Sequence, residues 1–249
     1  MAFMHIDFFA HTLGMCMQME AVIPQQSERT KPWRTLYLLH GMSDDETIWQ
    51  RRTSVERYAE DAGIAVIMPT THLAWYTDMH HGLKYFTYIS EELVKICRGF
   101  FPQMSDKPED TFVAGLSMGG YGAVKCALLH PETFGAAATF SGALDVARGV
   151  DRSRGSSYFT DIFGEPGTVT GGVNDLYAAA ERLKQSGGKL PPIYQWCGTE
   201  DGLLEENRAY HRHLTGLGYQ VAYHESAGGH EWHSWDLQVE QAIRWFCSL

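Results

Sequence analysis

The chain is 249 residues long, which at about 100–200 residues per domain fits one large domain spanning 1–249. With 44% apolar and 20% charged residues the composition is that of an ordinary globular protein, and it excludes collagenous, low-complexity and disordered polymers. Twenty basic against thirty acidic residues give a net charge of -10 with no basic patch in the sequence, which argues against a nucleic-acid partner.

The five cysteines (Cys16, Cys97, Cys126, Cys197, Cys247) are an odd, scattered set without a CxxC pair, as expected of free thiols in a reducing compartment. The opening residues Met1-Ala2-Phe3-Met4-His5-Ile6-Asp7 lack the basic and then uninterrupted apolar stretches of a secretory leader. No apolar run approaches the roughly 20 residues that cross a bilayer. A soluble, cytoplasmic protein with no membrane partner is the expectation.

In chain order, residues 15–22 alternate and, with Ile6-Asp7-Phe8-Phe9 before them, predict an opening strand pair. After a loop over 24–32, short continuous apolar runs follow at 36–39, 64–68, 111–114, 136–140, 193–196 and 221–223, the pattern of strands buried on both faces. Helical spacing fills the intervals at 86–100, 120–130, 176–184, 204–217 and 235–246. Strands alternating with helices imply right-handed crossovers and an α/β fold, a mostly parallel doubly wound sheet with helices on both faces. Residues 145–174 are polar and glycine-rich but carry Tyr158, Phe159, Ile162 and Phe163, and they are too long for a turn. A pocket-covering insertion is expected there, because those aromatics need a surface to pack on.

Gly115-Leu116-Ser117-Met118-Gly119-Gly120 stands directly between the strand at 111–114 and the helix that runs to 130. A serine on so abrupt a turn needs neighbours without bulk, and the following helix aims its free N–H groups at the hydroxyl. Ser117 is therefore the candidate nucleophile, with an ordinary tight turn as the bland alternative. A serine hydroxyl needs a base, and that base needs an orienting acid. His230, in Gly228-Gly229-His230-Glu231-Trp232, follows the last strand and is the candidate base, ahead of His233 and His224 and of a plain solvated loop histidine. Asp201 follows the strand at 193–196; a helix N-cap is its structural alternative, and Asp145 is the competing acid. The order Ser, Asp, His, which is that of α/β-hydrolases, favours Asp201.

An acyl-transfer oxyanion needs two N–H donors. The backbone of Met118 is one candidate, and that of Met42, after the flexible Gly41 of His40-Gly41-Met42, is the other. His40 reads as a packed structural residue beneath that loop. Trp75 and Tyr76 follow a strand and are expected to wall the substrate pocket, with core packing as the alternative, while His80-His81 reads as solvated or at the pocket mouth. His230 and His233 are three residues apart, not four as in a zinc-protease helix, and no phosphate-loop spacing is present, so neither metal nor cofactor is expected.

Leu38-Leu39-His40-Gly41-Met42, Trp75-Tyr76-Thr77-Asp78, Gly115 to Gly122, the Asp201 segment and Gly229-His230-Glu231-Trp232 together resemble the esterase D and S-formylglutathione hydrolase family of α/β-hydrolases, in particular its bacterial tributyrin-esterase branch. The resemblance covers nearly the whole chain in order. It implies a carboxylesterase for short acyl esters, with Ser117, Asp201 and His230 as its triad and no cofactor. The family also holds thioesterases, acetyl-sugar and feruloyl esterases and mycolyltransferases. Gly115-Leu116 departs from the His-Ser typical of S-formylglutathione hydrolases. The partner expected is a small-molecule ester, with a homo-oligomer open, and the rival from another class is a catalytically silent hydrolase fold that only binds.

Overall fold

Two nine-residue strands, Ala2–Ala10 (β1) and Met15–Ile23 (β2), pair antiparallel through a turn that ends at Gly14, where φ is 69°. In this computed structural model, which describes residues 1–25, 32–152 and 156–249, they form one margin of an eight-stranded sheet. β2 runs antiparallel to β4 (Ala65–Pro69), and β4 runs parallel to β3 (Thr35–Leu39). β5 (Thr111–Leu116), β6 (Ala136–Phe140), β7 (Ile193–Gly198) and β8 (Val221–Ser226) continue in parallel, giving the spatial order β1-β2-β4-β3-β5-β6-β7-β8. The direction of winding reverses between β3 and β5. In open α/β sheets the crevice beyond the carboxyl ends of such strands is where ligands bind.

The strands at 36–39, 64–68, 111–114, 136–140 and 193–196 are wholly buried, as their unbroken apolar runs required. Tyr37 and Leu39 feed one core and Leu36 and Leu38 the other, since side chains alternate across a strand. The first core is closed by α4 (Leu93–Phe100), α5 (Met118–Leu129), α8 (Leu176–Gln185) and α9 (Leu204–Leu217); the second by α1 (Ile48–Arg52), α2 (Val55–Ala62) and α10 (Trp232–Ser248). This is the α/β-hydrolase arrangement.

Four features differ from the sequence reading. The helix expected over 86–100 begins as one turn, Tyr85–Thr87 (α3), and passes through a π-helical turn at Tyr88–Glu92 before α4. α1 and α2 were not apparent, because both are short and mostly polar. β8 is half exposed, since it is the last strand and has a neighbour on one side only. The insertion is partly helical: α6 (Val146–Arg152) and α7 (Ser157–Phe163) lie within it. No helix among the described residues is long and apolar enough to cross a membrane.

Candidate active site

β5 ends at Leu116 and α5 begins at Met118, so Ser117 alone makes the turn, at φ 51° and ψ -116°. A non-glycine residue with positive φ is strained and persists only where its surroundings hold it. Here the Ser117 N–H donates to Phe140 O at 2.9 Å, and its carbonyl accepts from the N–H of Tyr121 and of Ala143, both at 3.1 Å. The flanking glycines are needed for space. A Cβ at Gly115 would lie 2.4 Å from the backbone of Gly119, and one at Gly119 2.5 Å from the carbonyls of Leu39 and His40. The elbow is thus packed directly onto the loop leaving β3. Met118, wholly buried, is the first helical residue, where backbone N–H groups have no partner within the helix.

His230 leaves the end of β8 and turns its Nδ1 to Asp201 Oδ2 at 2.9 Å. The His230 side chain is 40% exposed, whereas that of Asp201 is 1% exposed. Burial pushes the Asp201 carboxyl upward, but hydrogen bonds from His230 and the Leu203 N–H help to outweigh it, and the group is held below the usual carboxylate range. Asp201 N–H also donates to Gly198 O, and Leu204 N–H to Asp201 O, so the acid sits in a tight turn before α9. Asp145, its rival, is engaged elsewhere: its carboxylate accepts the Arg148 N–H as α6 starts, and its own N–H donates to Glu206. Among the histidines considered for the base, His224 lies tilted against Tyr194 at 5.1 Å on the sheet edge, whereas the His230 ring stands edge-on to Trp235 at 4.9 Å.

The β3 loop carries Gly41 and Met42. A Cβ on Gly41 would lie 2.4 Å from Leu116 Cδ1, so this backbone passes immediately beside the residue before Ser117. The Met42 side chain is half exposed. His40 is buried beneath the loop, its Nδ1 2.7 Å from Gly41 O and its Nε2 accepting the Thr71 N–H at 3.0 Å. Since Nε2 accepts, the proton resides on Nδ1 and is donated to Gly41 O. Burial pulls the His40 pKa down to about 4, so this imidazole is neutral and structural.

Tyr76 does not wall a pocket. It is fully buried, its hydroxyl donates to His40 O at 2.9 Å and its ring occupies the space that Gly122 leaves empty. A large aromatic beside a glycine on α5 is a packing solution, and it makes Tyr76 a prop for the β3 loop. Trp75 is 8% exposed and is turned to the insertion. Its indole N–H donates to the Tyr158 hydroxyl at 2.9 Å, and its ring contacts Tyr121, Phe159 and Phe163 at 5.7–6.1 Å. Both residues lie at positive φ, 52° for Trp75 and 48° for Tyr76. The aromatics of α7 therefore find the surface they required, on Trp75. A cavity of about 320 Å³ remains between the two segments, lined by Thr71, His72, Leu73, Tyr85, Tyr158 and Asp161 among others. His80 and His81 are held at its margin by their N–H groups, which donate to Ile162 O and Asp161 O.

One buried cation was not singled out from the sequence. Lys125, 1% exposed on α5, donates to Tyr76 O, Thr77 Oγ1 and Asn174 Oδ1 at 3.2, 3.2 and 2.6 Å, and its ammonium lies 4.4 Å from the Phe86 ring centre. It ties the Trp75 loop and the end of the insertion to the helix that carries the candidate nucleophile at its start.

The family model described as "Putative esterase" matches residues 10–246. An acetyl esterase of Caldicellulosiruptor saccharolyticus is 30% identical over 265 aligned residues, covering 100% of this chain and 99% of that protein. Among solved structures, FphF, a fluorophosphonate-binding serine hydrolase of Staphylococcus aureus, superposes with a TM-score of 0.91 at 31% identity, covering 99% of this chain and 98% of that one. The S-formylglutathione hydrolase FrmB of the same organism gives a TM-score of 0.90 at 30% identity over 99% and 98% of the two chains. With its strand order, its serine elbow and these full-length likenesses, the chain belongs to the esterase D and S-formylglutathione hydrolase family of α/β-hydrolases and is an esterase.

Proposed function

We propose that this esterase is a serine carboxylesterase that hydrolyses short-chain acyl esters through an acyl-enzyme. The observation that carries the reading is the combination of Ser117 at φ 51° ahead of α5 with the His230–Asp201 contact at 2.9 Å. With its Nδ1–H committed to Asp201, His230 has Nε2 free to accept a proton. In the proposed sequence Ser117 Oγ attacks the ester carbonyl as His230 takes its hydrogen. The N–H groups of Met118 and Met42 then hold the oxyanion, and His230 returns the proton to the departing alcohol. Water, activated by the same imidazole, next attacks the acyl-Ser117 ester and releases the carboxylic acid. Asp201 remains ionised throughout, keeps the imidazole in the productive tautomer and stabilises its cationic form. Each oxyanion donor is worth a few kcal/mol, about 10²–10³-fold in turnover.

No cofactor enters this sequence, and the partner is the ester itself. Thioesters and acetylated or feruloylated carbohydrates remain chemically within reach of the same three residues. The deciding experiment compares turnover of p-nitrophenyl acetate and butyrate by the wild-type chain and by Ser117→Ala. Hydrolysis abolished in the variant is the expected result. Wild-type protein that binds esters without turning them over would establish the silent-fold alternative instead.

A further inference from the structure

β1 is the outermost strand of the sheet and is paired with β2 on one side only. Its register is unbroken from Ala2 opposite Ile23 to Ala10 opposite Met15, with no bulge and no proline. Natural edge strands are usually blunted by such devices, because free N–H and C=O groups are a template for another strand. The Gly14 N–H donates to Ala10 O at 2.8 Å, so the Ala10 carbonyl is turned toward β2. Main-chain groups of successive strand residues point to opposite sides, so those of Met4, Ile6 and Phe8 also face β2, while those of Phe3, His5, Asp7 and Phe9 face outward. Among the described residues these outward groups meet no partner.

The side chains of the same four residues share one face of the strand, and all are exposed, Phe3 by 44% and Phe9 by 51%. The other face turns Ile6, Phe8 and Ala10 to the first core and leaves Met4 exposed. The strand Ala2-Phe3-Met4-His5-Ile6-Asp7-Phe8-Phe9-Ala10 is nearly symmetric about Ile6. When two copies lie antiparallel with Ile6 opposite Ile6, Phe3 of each meets Phe9 of the other, His5 meets Asp7, and Met4 meets Phe8. A two-fold axis makes each of these contacts occur twice. Phe3–Phe9 and His5–Asp7 are the pairs whose main-chain groups face outward, so each exchanges both N–H···O bonds, and Ile6–Ile6 is the close, non-bonded pair at the centre. Aromatic pairs and opposite charges facing each other across strands both stabilise. Moving the axis by one residue sets Asp7 against Asp7 or His5 against His5, so charge selects the register centred on Ile6.

We propose that the outer edge of β1 is a self-association surface: a second copy of this chain adds its own β1 antiparallel to the first, centred on Ile6, and joins the two sheets into one. A second copy is the occupant because each exposed residue of β1 finds its complement within β1 itself. The surface is isologous, so the association closes at two chains through this edge. It lies apart from the candidate nucleophile, since β2, β4 and β3 stand between β1 and β5, and it is independent of the esterase chemistry.

Sedimentation velocity of the full chain over a wide concentration range tests the association. The wild type should run as a dimer. His5→Pro removes an outward N–H and no bond to β2, a change that an edge strand tolerates, and should run as a monomer. His5→Lys keeps an opposite charge before Asp7 and should remain dimeric, whereas His5→Lys combined with Asp7→Lys sets like charges against each other and should be monomeric. Far-UV circular dichroism and a cooperative melt establish that each variant is folded. The register is read by cross-linking in a Cys16→Ser background, which removes the exposed native thiol. There Ile6→Cys should give a disulfide-linked dimer on mild oxidation, since a close antiparallel pair sets its Cα atoms about 4.5 Å apart, within disulfide reach. Met4→Cys, which faces Phe8, should not cross-link. A wild type that stays monomeric overturns the proposal, as does a dimer that survives both His5→Pro and the double lysine variant. Cross-linking at position 4 and not at position 6 overturns it as well.

Discussion

His230 and Asp201 meet at 2.9 Å although 29 residues, and all of α9 and β8, separate them along the chain. The contact supports the proposed reading of Asp201 as the orienting acid, whereas the Asp145 carboxylate accepts the Arg148 N–H at the start of α6. Asp201→Asn keeps the shape but favours the wrong imidazole tautomer, and turnover should fall by about 10⁴-fold. Asp145→Asn should leave kcat within about twofold and cost at most about 1 kcal/mol of stability, the scale of a helix cap. Parallel ester kinetics and urea unfolding of both variants check this, and an inactive Asp145→Asn with an active Asp201→Asn would reverse the assignment.

A fluorophosphonate probe should add a single mass to the peptide containing Ser117 and block ester turnover stoichiometrically. Ser117→Ala should take up none. The elbow is the reason for this selectivity, since Ser117 combines a strained φ, a helix N-terminus behind it and a base-bearing loop. Labelling at another serine, mapped by peptide mass spectrometry, would refute the nucleophile assignment.

His40 gives the fold a defined acid sensitivity. In the native state burial holds its pKa near about 4, whereas the unfolded chain takes up this proton near 6.5. The unfolded state thus binds more protons between those values. The stability that neutral His40 confers is complete above about pH 6.5 and is lost as pH falls to about 4, by up to about 3 kcal/mol. His40→Asn, which cannot titrate, should be less stable than wild type near neutrality but should show a flatter decline on acidification. Urea midpoints at about pH 7.5 and about pH 4.5 test it; parallel declines in the two proteins would remove His40 as the cause.

Acyl length should be limited by the Trp75–α7 contact. With Phe159 and Phe163 packed against Trp75, lengthening the acyl chain gains about 0.8 kcal/mol per buried methylene until packed side chains must be displaced, at about 1–3 kcal/mol. kcat/KM on p-nitrophenyl esters should therefore peak between acetyl and butyryl and fall by at least about tenfold at octanoyl. Trp75→Ala should flatten that fall. A wild-type profile still rising at octanoyl would mean that α7 extends an apolar groove.

The strands and the serine elbow were legible in the sequence because both are local: unbroken apolar runs require burial on two faces, and glycines flanking a serine between strand and helix require a tight turn. The meeting of Asp201 and His230 was legible from their places after β7 and β8. Tyr76 was misjudged because its surroundings depend on Gly122, 46 positions away, whose missing side chain makes room for the ring. Trp75 depended likewise on α7, within a polar, glycine-rich stretch that carries little helical signal.

The insertion is fastened on both sides near the start of α5: just before it the Ala143 N–H donates to Ser117 O, and at its end Asn174 O accepts from the Tyr121 hydroxyl. A segment tied on both sides to the start of one helix is a closed loop of the chain. The entropy of closing such a loop grows slowly, by about 0.6 kcal/mol for each doubling of length, so its length is less constrained than the packing of Ile162 and Phe163, which are buried in the core. On the proposed esterase reading this loop is the part whose exchange would alter substrate preference, and the same two anchor points mark where an engineer would cut.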